Sequence, residues 1–176
     1  TDLVDAVRRH RLVSATGPGG VGKTRLALAV ARGVVGRFED GAWWVELAPL
    51  SDPELVAQAV GSALGVEETP GRALSEAIVE DLRTRDALLI LDNCEHLVAE
   101  CAALAETLLH ACPSLRLLAT SREALNLFGE TLFPVGPLPL ADEGASAGEA
   151  AAFPSVQLLV DRATAVRPGF ALTDDN

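Results

Sequence analysis

The sequence has 176 residues, 49% of them hydrophobic, and its 25 acidic residues outnumber its 14 basic residues for a formal net charge of −11. A chain of this length can bury one sizeable core, so we expect one main domain. The negative charge argues against direct binding of nucleic acid, and no apolar run approaches the roughly 20 residues that cross a bilayer, so we expect no membrane contact.

Apolar runs of strand length alternate along the chain with segments of helical period. This pattern is typical of an α/β fold, in which helices cover both faces of a parallel sheet. Ser51, with Pro53 and Glu54 after it, has the spacing of a capping box, and Ser155 is the predicted cap of the last helix. In chain order the predicted elements are a strand at 11–15, a helix at 23–35, a strand at 42–47, helices at 55–64 and around 74–82, a strand at 87–91, a helix at 95–110, strands at 116–119 and 131–135, and a helix from 155.

A glycine-rich loop separates the first strand from the first helix. Residues Gly17-Pro18-Gly19-Gly20-Val21-Gly22-Lys23-Thr24 match G-x-x-x-x-G-K-[ST] in full, and Arg25 follows them. Glycines let consecutive backbone N–H groups turn inward as an anion nest, at the positive end of the following helix. In this pattern Lys23 reaches the β- and γ-phosphates and Thr24 offers its hydroxyl to Mg²⁺. The loop, with Arg25, therefore predicts a site for a purine nucleoside triphosphate.

The same loop also fits G-x-G-x-x-G, the fingerprint of dinucleotide-binding proteins, through Gly17, Gly19 and Gly22. Glu46, near the end of the second strand, would then be the acid that binds the ribose. A Lys-Thr pair directly after the third glycine is not needed for pyrophosphate binding, and a second phosphate-metal site lies downstream. An NAD-binding oxidoreductase is therefore the weaker interpretation.

The second site begins with Asp92, which follows the apolar strand at 87–91. Open α/β sheets bind ligands at the carboxyl ends of their strands, and an acid there holds the Mg²⁺ water shell in P-loop enzymes. A strand-end Asp is as often a helix N-cap. The next strand ends in Thr120-Ser121-Arg122, from which Arg122 can sense or neutralise the γ-phosphate, unless it is simply a solvated arginine.

Three cysteines, Cys94, Cys101 and Cys112, are odd in number and fall in a helical apolar pattern. They do not fit a disulfide framework, so they indicate a reducing, cytoplasmic setting. Two of them lie near Glu95 and His96, which suggests a metal cluster at first sight. Because there is one histidine and no second C-x-x-C, packed helix residues are the better interpretation.

After the fifth strand the chain changes in composition. Pro137 and Pro139 end regular structure, and the stretch from 141 to 154 is rich in Ala, Gly, Ser and acids, which predicts a mobile linker. The predicted organisation is a core at 1–140, this linker, and the start of a helical subdomain at 155–176. The chain contains no Met, and we expect it to be a piece of a longer protein.

Three segments together carry a resemblance to a known family. They are the loop with Arg25-Leu26-Ala27 after it, the run Leu89-Ile90-Leu91-Asp92-Asn93-Cys94-Glu95-His96-Leu97, and the run Leu118-Ala119-Thr120-Ser121-Arg122-Glu123-Ala124-Leu125. The chain resembles the STAND class of P-loop NTPases, the group with the NB-ARC domains, and within it the bacterial transcriptional regulators of the AfsR/SARP and LuxR-like kinds. The resemblance covers nearly the whole chain.

The resemblance implies a five-stranded parallel sheet in the order 2-3-4-1-5 and a regulatory switch. In such a switch ADP holds a closed state, ATP permits an open one that self-associates, and hydrolysis resets it. Partners implied elsewhere in the protein are winged-helix, DNA-binding and sensor or repeat domains. Many members carry a second acid after the strand-end Asp, where this chain has Asn93. An amide cannot act as a general base, so Glu95 must substitute or hydrolysis is slow.

The leading hypothesis is an ATP/ADP-binding regulatory module with weak ATPase activity, in which Lys23, Asp92, Glu95 and Arg122 are the candidate catalytic residues. A P-loop small-molecule kinase is an alternative, but it needs an Arg-rich lid, and the segment after the fifth strand offers Ala, Gly and acids instead. A nucleotide-binding interaction module without turnover is the third hypothesis, and Asn93 keeps it open.

Overall fold

The computed structural model describes residues 2–174 and divides the chain into two units, one ending at Val135 and one beginning at Gly136. The sequence pattern places the end of the core at 140 instead. The first unit contains the elements α1 (Asp2–Arg9), β1 (Leu12–Thr16), α2 (Lys23–Val34), β2 (Ala42–Glu46), α3 (Val56–Leu64), α4 (Leu74–Leu82), β3 (Leu88–Asp92), α5 (Val98–Ala111), β4 (Arg116–Ser121) and β5 (Glu130–Pro134). Short 3₁₀ turns lie at Val35–Arg37, Pro53–Leu55 and Cys94–His96.

The five strands form one sheet in the order β2-β3-β4-β1-β5, and each neighbouring pair is parallel. The predicted fold class and strand order are therefore confirmed. Because all strands point the same way, β1, β3 and β4 end side by side at one edge of the sheet. This is the edge at which sheets of this kind bind ligands.

Helices cover both faces of the sheet and bury a core on each side. On one face α3, α4 and α5 pack over β3 and β4, and on the other face α1 and α2 do so. Strand β3 shows the division, since Leu89 and Leu91 belong to the first core and Leu88 and Ile90 to the second. A strand buried on both faces needs a continuous apolar run, and burying each such side chain contributes about 1.5–3 kcal/mol.

Helix α1 is not among the predicted elements. It carries Leu3 and Val7 into the second core, where they are 0% and 1% exposed, and the rest of its eight residues are mostly charged. Val4 and Ala6 of the same helix also pack against this core. An apolar pattern of about two turns is too short to establish a helix from the sequence alone. Packing against α2 supplies the stabilisation of α1 that the local sequence does not indicate.

The predicted cap of α3 is wrong by one residue. The carboxylate of Asp52, not the hydroxyl of Ser51, accepts the hydrogen bond from the Glu54 backbone N–H at 3.0 Å. That cap begins the 3₁₀ turn Pro53–Leu55, and α3 follows it from Val56. A proline at the first helical position favours this earlier, tighter turn.

The second unit contains α6 (Ala147–Ala150) and α7 (Pro154–Val166). The stretch predicted as a linker therefore includes a short helix, which begins with a capping box between Ser146 and Glu149. Hydrogen bonds from Ser146 lower the pKa of Glu149. Ser155 is not the cap of α7: Phe153 takes that position, and the Ser155 hydroxyl donates to the Pro139 carbonyl at 2.6 Å. Within residues 2–174 no helix has the length and apolar character needed to cross a membrane.

Candidate functional site

The glycine-rich loop runs from the end of β1 to the start of α2 and is held at the sheet edge by its neighbours. The Gly17 N–H donates to the Ser121 carbonyl at 3.3 Å, and the Val135 N–H donates to the Thr16 carbonyl at 2.6 Å. A Cβ on Gly17 would lie 2.4 Å from the Val135 carbonyl oxygen, so only glycine fits there. Gly22, the N-cap of α2, has a φ of 98°, which side chains rarely adopt.

A cavity of about 370 Å³ opens between this loop and the strand ends. Its lining brings together most of the residues that the sequence singles out. The two farthest apart in the chain, Gly19 and Arg122, are separated by 103 positions. Besides the loop glycines Gly19, Gly20 and Gly22, the lining residues are Lys23, Thr24, Arg25, Asn93, Glu95, Thr120 and Arg122. Gly17, Pro18 and Val21 belong to the loop but do not line the cavity. Asp92 lies behind the lining, hydrogen bonded to Thr24 and Thr120.

A larger groove of about 940 Å³ lies between α4 and α5. Its lining mixes acidic and basic side chains, among them Arg72, Glu80 and Arg83, and contains no residue of the glycine-rich loop. Size alone does not identify a site. The convergent polar groups lie in the smaller cavity at the sheet edge.

Thr24 and Asp92 form the part of the site suited to a metal. The Thr24 hydroxyl donates to Asp92 Oδ1 at 2.9 Å, and Asp92 is 5% exposed. Asp92 is not the N-cap of the turn after it, since that position is Asn93. A hydroxyl and a carboxylate are hard oxygen donors of the kind that Mg²⁺ prefers. The two residues present therefore fit a magnesium ion.

Thr120 is a site residue that sequence reasoning missed. It is 1% exposed, its hydroxyl donates to Asp92 Oδ1 at 2.6 Å, and it accepts from the Asn93 N–H at 2.9 Å. The register of the sheet explains this contact, because Leu91 pairs with Ala119 and so brings the next residues of β3 and β4 together. A strand-end threonine was visible in the sequence, but the register was not.

Two cations of the site, Lys23 and Arg122, face one carboxylate, that of Glu95. Lys23 Nζ donates to the carbonyls of Gly17 at 2.8 Å and Pro18 at 3.1 Å, and it lies 3.9 Å from Glu95 Oε2. Arg122 Nε donates to Glu95 Oε1 at 2.8 Å. The Arg122 guanidinium also lies over the loop, where a Cβ on Gly19 would be 3.3 Å from its Nη2.

Asn93 and His96 form a second polar connection at the cavity. Asn93 has a left-handed backbone, with φ at 69°, and its Nδ2 lies 3.4 Å from His96 Nδ1. His96 Nε2 is 2.8 Å from the Leu50 carbonyl, which can only accept. Nε2 therefore carries the hydrogen, and Nδ1 accepts from the Asn93 amide. His96 thus connects the cavity to the chain after β2.

The cysteines are packed residues. Cys94, Cys101 and Cys112 are all buried as free thiols. A hydrogen bond with Cys101, together with burial, raises the pKa of the Cys94 thiol, and burial raises the pKa of Cys112. Among residues 2–174 no group of three or more His, Cys, Asp or Glu side chains is arranged to hold a metal ion.

A family model described as an AAA domain matches residues 7–131. A Mycobacterium tuberculosis protein with the provisional name of an HTH-type transcriptional regulator is 40% identical over 168 residues, which are 96% of this chain and 18% of that protein. An uncharacterized protein of the same organism is 39% identical over 165 residues, covering 94% of this chain and 39% of that protein. The chain therefore spans less than half the length of these curated relatives.

Solved structures share the fold at low identity. A STAND protein with a tetratricopeptide repeat sensor from Pyrococcus horikoshii superposes with a TM-score of 0.54 at 17% identity, covering 97% of this chain and 25% of that one. Cdc6p from Pyrobaculum aerophilum has a TM-score of 0.58 at 19% identity, covering 93% of this chain and 46% of that one. These likenesses support the P-loop NTPase fold alone.

Proposed function

Because this chain belongs to the AAA domain family, we propose that it is an ATP/ADP-binding regulatory module with slow ATPase activity, carried by a larger transcriptional regulator. The observation that supports this best is the convergence of the glycine-rich loop, Lys23, Thr24 and Arg122 on one cavity, with Asp92 behind it. The provisional name of a mycobacterial relative supports the regulatory setting.

The phosphates of the nucleotide bind at the glycine-rich loop in this proposal. The loop precedes α2, whose N-terminus favours negative charge, and its glycines leave the backbone N–H groups open to an anion. Lys23, the single lysine of the sequence, is 9% exposed on its side chain and already turns its ammonium toward the loop. We assign it to the terminal phosphates, and Arg25 to the rim.

Magnesium would be held by Thr24 and Asp92. When bound, it neutralises charge on the phosphates. Thr120 holds the Asp92 carboxylate in place through its hydroxyl. Thr120 is therefore a positioning residue, which acts on the ligand through Asp92.

Slow hydrolysis follows from the acids available at the cavity. Asn93 cannot accept a proton from water, so Glu95 is the carboxylate proposed as general base. The oxygen of water bonds to the γ-phosphorus, its proton passes to Glu95, and ADP leaves with the electron pair of the broken bond. Glu95 is paired with Arg122 in the structure, so it must be released before it can act. This pairing also supports the second candidate, a nucleotide-binding interaction module without turnover.

The proposal is tested by titration calorimetry of the chain with ATP, ADP, GTP and NAD in the presence of Mg²⁺, with phosphate release measured in parallel. Lys23→Ala is expected to abolish binding of adenine nucleotides. Arg32→Ala is the matched control, since Arg32 is exposed in the last turn of the same helix. Binding of NAD instead, or equal binding by Lys23→Ala and Arg32→Ala, would contradict the proposed site.

A further inference from the structure

The carboxylate of Glu95 lies between two cations of the cavity, Lys23 and Arg122. Its Oε1 accepts from Arg122 at 2.8 Å, and its Oε2 is 3.9 Å from the Lys23 ammonium. The Glu95 side chain is 16% exposed, and its Oε2 is buried with no hydrogen-bond partner among the described residues. An anion thus occupies the space between Lys23 and Arg122, but one of its oxygens is only loosely satisfied there.

The backbone around Glu95 is anchored, so the side chain is the part that can move. Glu95 is the middle residue of the 3₁₀ turn Cys94–His96. Cys94 is 0% exposed, and His96 is hydrogen bonded to the Leu50 carbonyl at 2.8 Å. Arg122, by contrast, has a side chain that is 65% exposed and is held by Glu95 at its Nε. Losing Glu95 would free this guanidinium for another anion.

We propose that Glu95 determines whether the site prefers a nucleoside diphosphate or a triphosphate. This inference rests on the nucleotide site proposed above. A bound diphosphate leaves the ion pair of Glu95 with Arg122 intact. A third phosphate takes the position between Lys23 and Arg122, and it must displace the carboxylate because two anions at one place repel each other. Glu95 therefore favours the diphosphate.

The consequence is a difference in affinity between two arrangements of one site. With ADP the two cations keep Glu95 as their shared anion, and with ATP they face the γ-phosphate while Glu95 turns away. A ligand shifts a conformational equilibrium only through such a differential affinity. The released carboxylate then becomes available to the attacking water, so the same displacement that weakens ATP binding starts turnover.

The test compares the dissociation constants of ADP and of adenylyl imidodiphosphate, a triphosphate that resists hydrolysis, on the chain and on Glu95→Gln with Mg²⁺. Gln keeps the size of the side chain and removes its charge. The affinity for the triphosphate relative to ADP is expected to rise about tenfold or more in Glu95→Gln. Glu123→Gln, an exposed change of the same charge outside the cavity, is expected to leave the ratio as it is.

Glu95→Asp keeps the charge but withdraws it by one methylene, so its affinity for the triphosphate relative to ADP is expected to be intermediate. It replaces Glu95→Gln in the test if that variant does not fold. An unchanged or lowered ratio in both variants overturns the inference while leaving the nucleotide site standing. A lower rate of phosphate release without a change in the ratio would make Glu95 a base alone and also overturns it. Failure of every variant, and of the parent chain, to bind either nucleotide removes the proposed function itself.

Discussion

Replacing Thr120 with Val removes one buried hydroxyl and keeps the shape of the side chain. That hydroxyl donates to the Asp92 carboxylate at 2.6 Å and accepts from the Asn93 amide at 2.9 Å, in a residue that is 1% exposed. Valine leaves the carboxylate with one donor fewer and the amide without its acceptor. We therefore expect Thr120→Val to destabilise the fold and to weaken Mg²⁺-dependent nucleotide binding.

The magnitude follows from the two hydrogen bonds. A hydrogen bond to a charged group contributes about 1.5–3 kcal/mol, and a buried polar group left unpaired costs about 1–3 kcal/mol. Both losses come from one hydroxyl, so they are not independent, and we expect the free energy of unfolding to fall by about 3 kcal/mol. The total free energy of unfolding of a native domain is only ~5–15 kcal/mol, so this loss is a large share of it.

Urea denaturation followed by circular dichroism measures this change. Thr107→Val is the control, because the Thr107 hydroxyl donates to the Ala103 carbonyl on an exposed helix face. Its loss should cost less than about 0.5 kcal/mol. Thr120→Ser keeps the hydroxyl and should lose about 1 kcal/mol for its methyl group. If Thr120→Val and Thr107→Val unfold at the same urea concentration, the hydroxyl does not hold Asp92 as described.

Two further predictions concern the loop and the thiols. Gly17→Ala is expected to lower the free energy of unfolding by about 1–3 kcal/mol, because its Cβ would meet the Val135 carbonyl oxygen. Gly36→Ala, whose Cβ would point into open space, should not lower it. Equal urea midpoints for the two variants would contradict this prediction. In the native chain at pH 8 a thiol reagent should react slowly with Cys94 and Cys112, because a raised pKa and burial both suppress the reactive thiolate. Rapid reaction before urea is added would refute this prediction.

Much of the fold could be predicted because its signals are local. Each predicted strand overlaps the observed one. The signal is clearest at Leu88–Asp92, because a strand buried on both faces needs a continuous apolar run. The strand order came from the family resemblance, because apolar periodicity says nothing of which strands are neighbours. Helix α1 escaped prediction because it depends on tertiary packing. The caps at Asp52 and Phe153 escaped prediction because each is set by the proline that follows it.

The candidate site was predictable in part for a similar reason. A contiguous motif identifies Lys23 and Thr24, and a strand end identifies Asp92. Thr120 could not be assigned a role, because its contact with Asp92 depends on the register between β3 and β4. The approach of Arg122 to Glu95 depends likewise on how far a long side chain reaches across the loop.

The hydrogen bonds that join Thr24 and Thr120 to Asp92 span 68 and 28 positions of the chain, and they arise only when β1, β3 and β4 lie side by side. An unfolded or half-assembled chain has no such site. A ligand that binds this edge therefore stabilises the folded state. At a concentration of 100 times its Kd it adds about 2.7 kcal/mol to the free energy of unfolding. The thermal midpoint of unfolding therefore reports how much of the site is occupied by ligand.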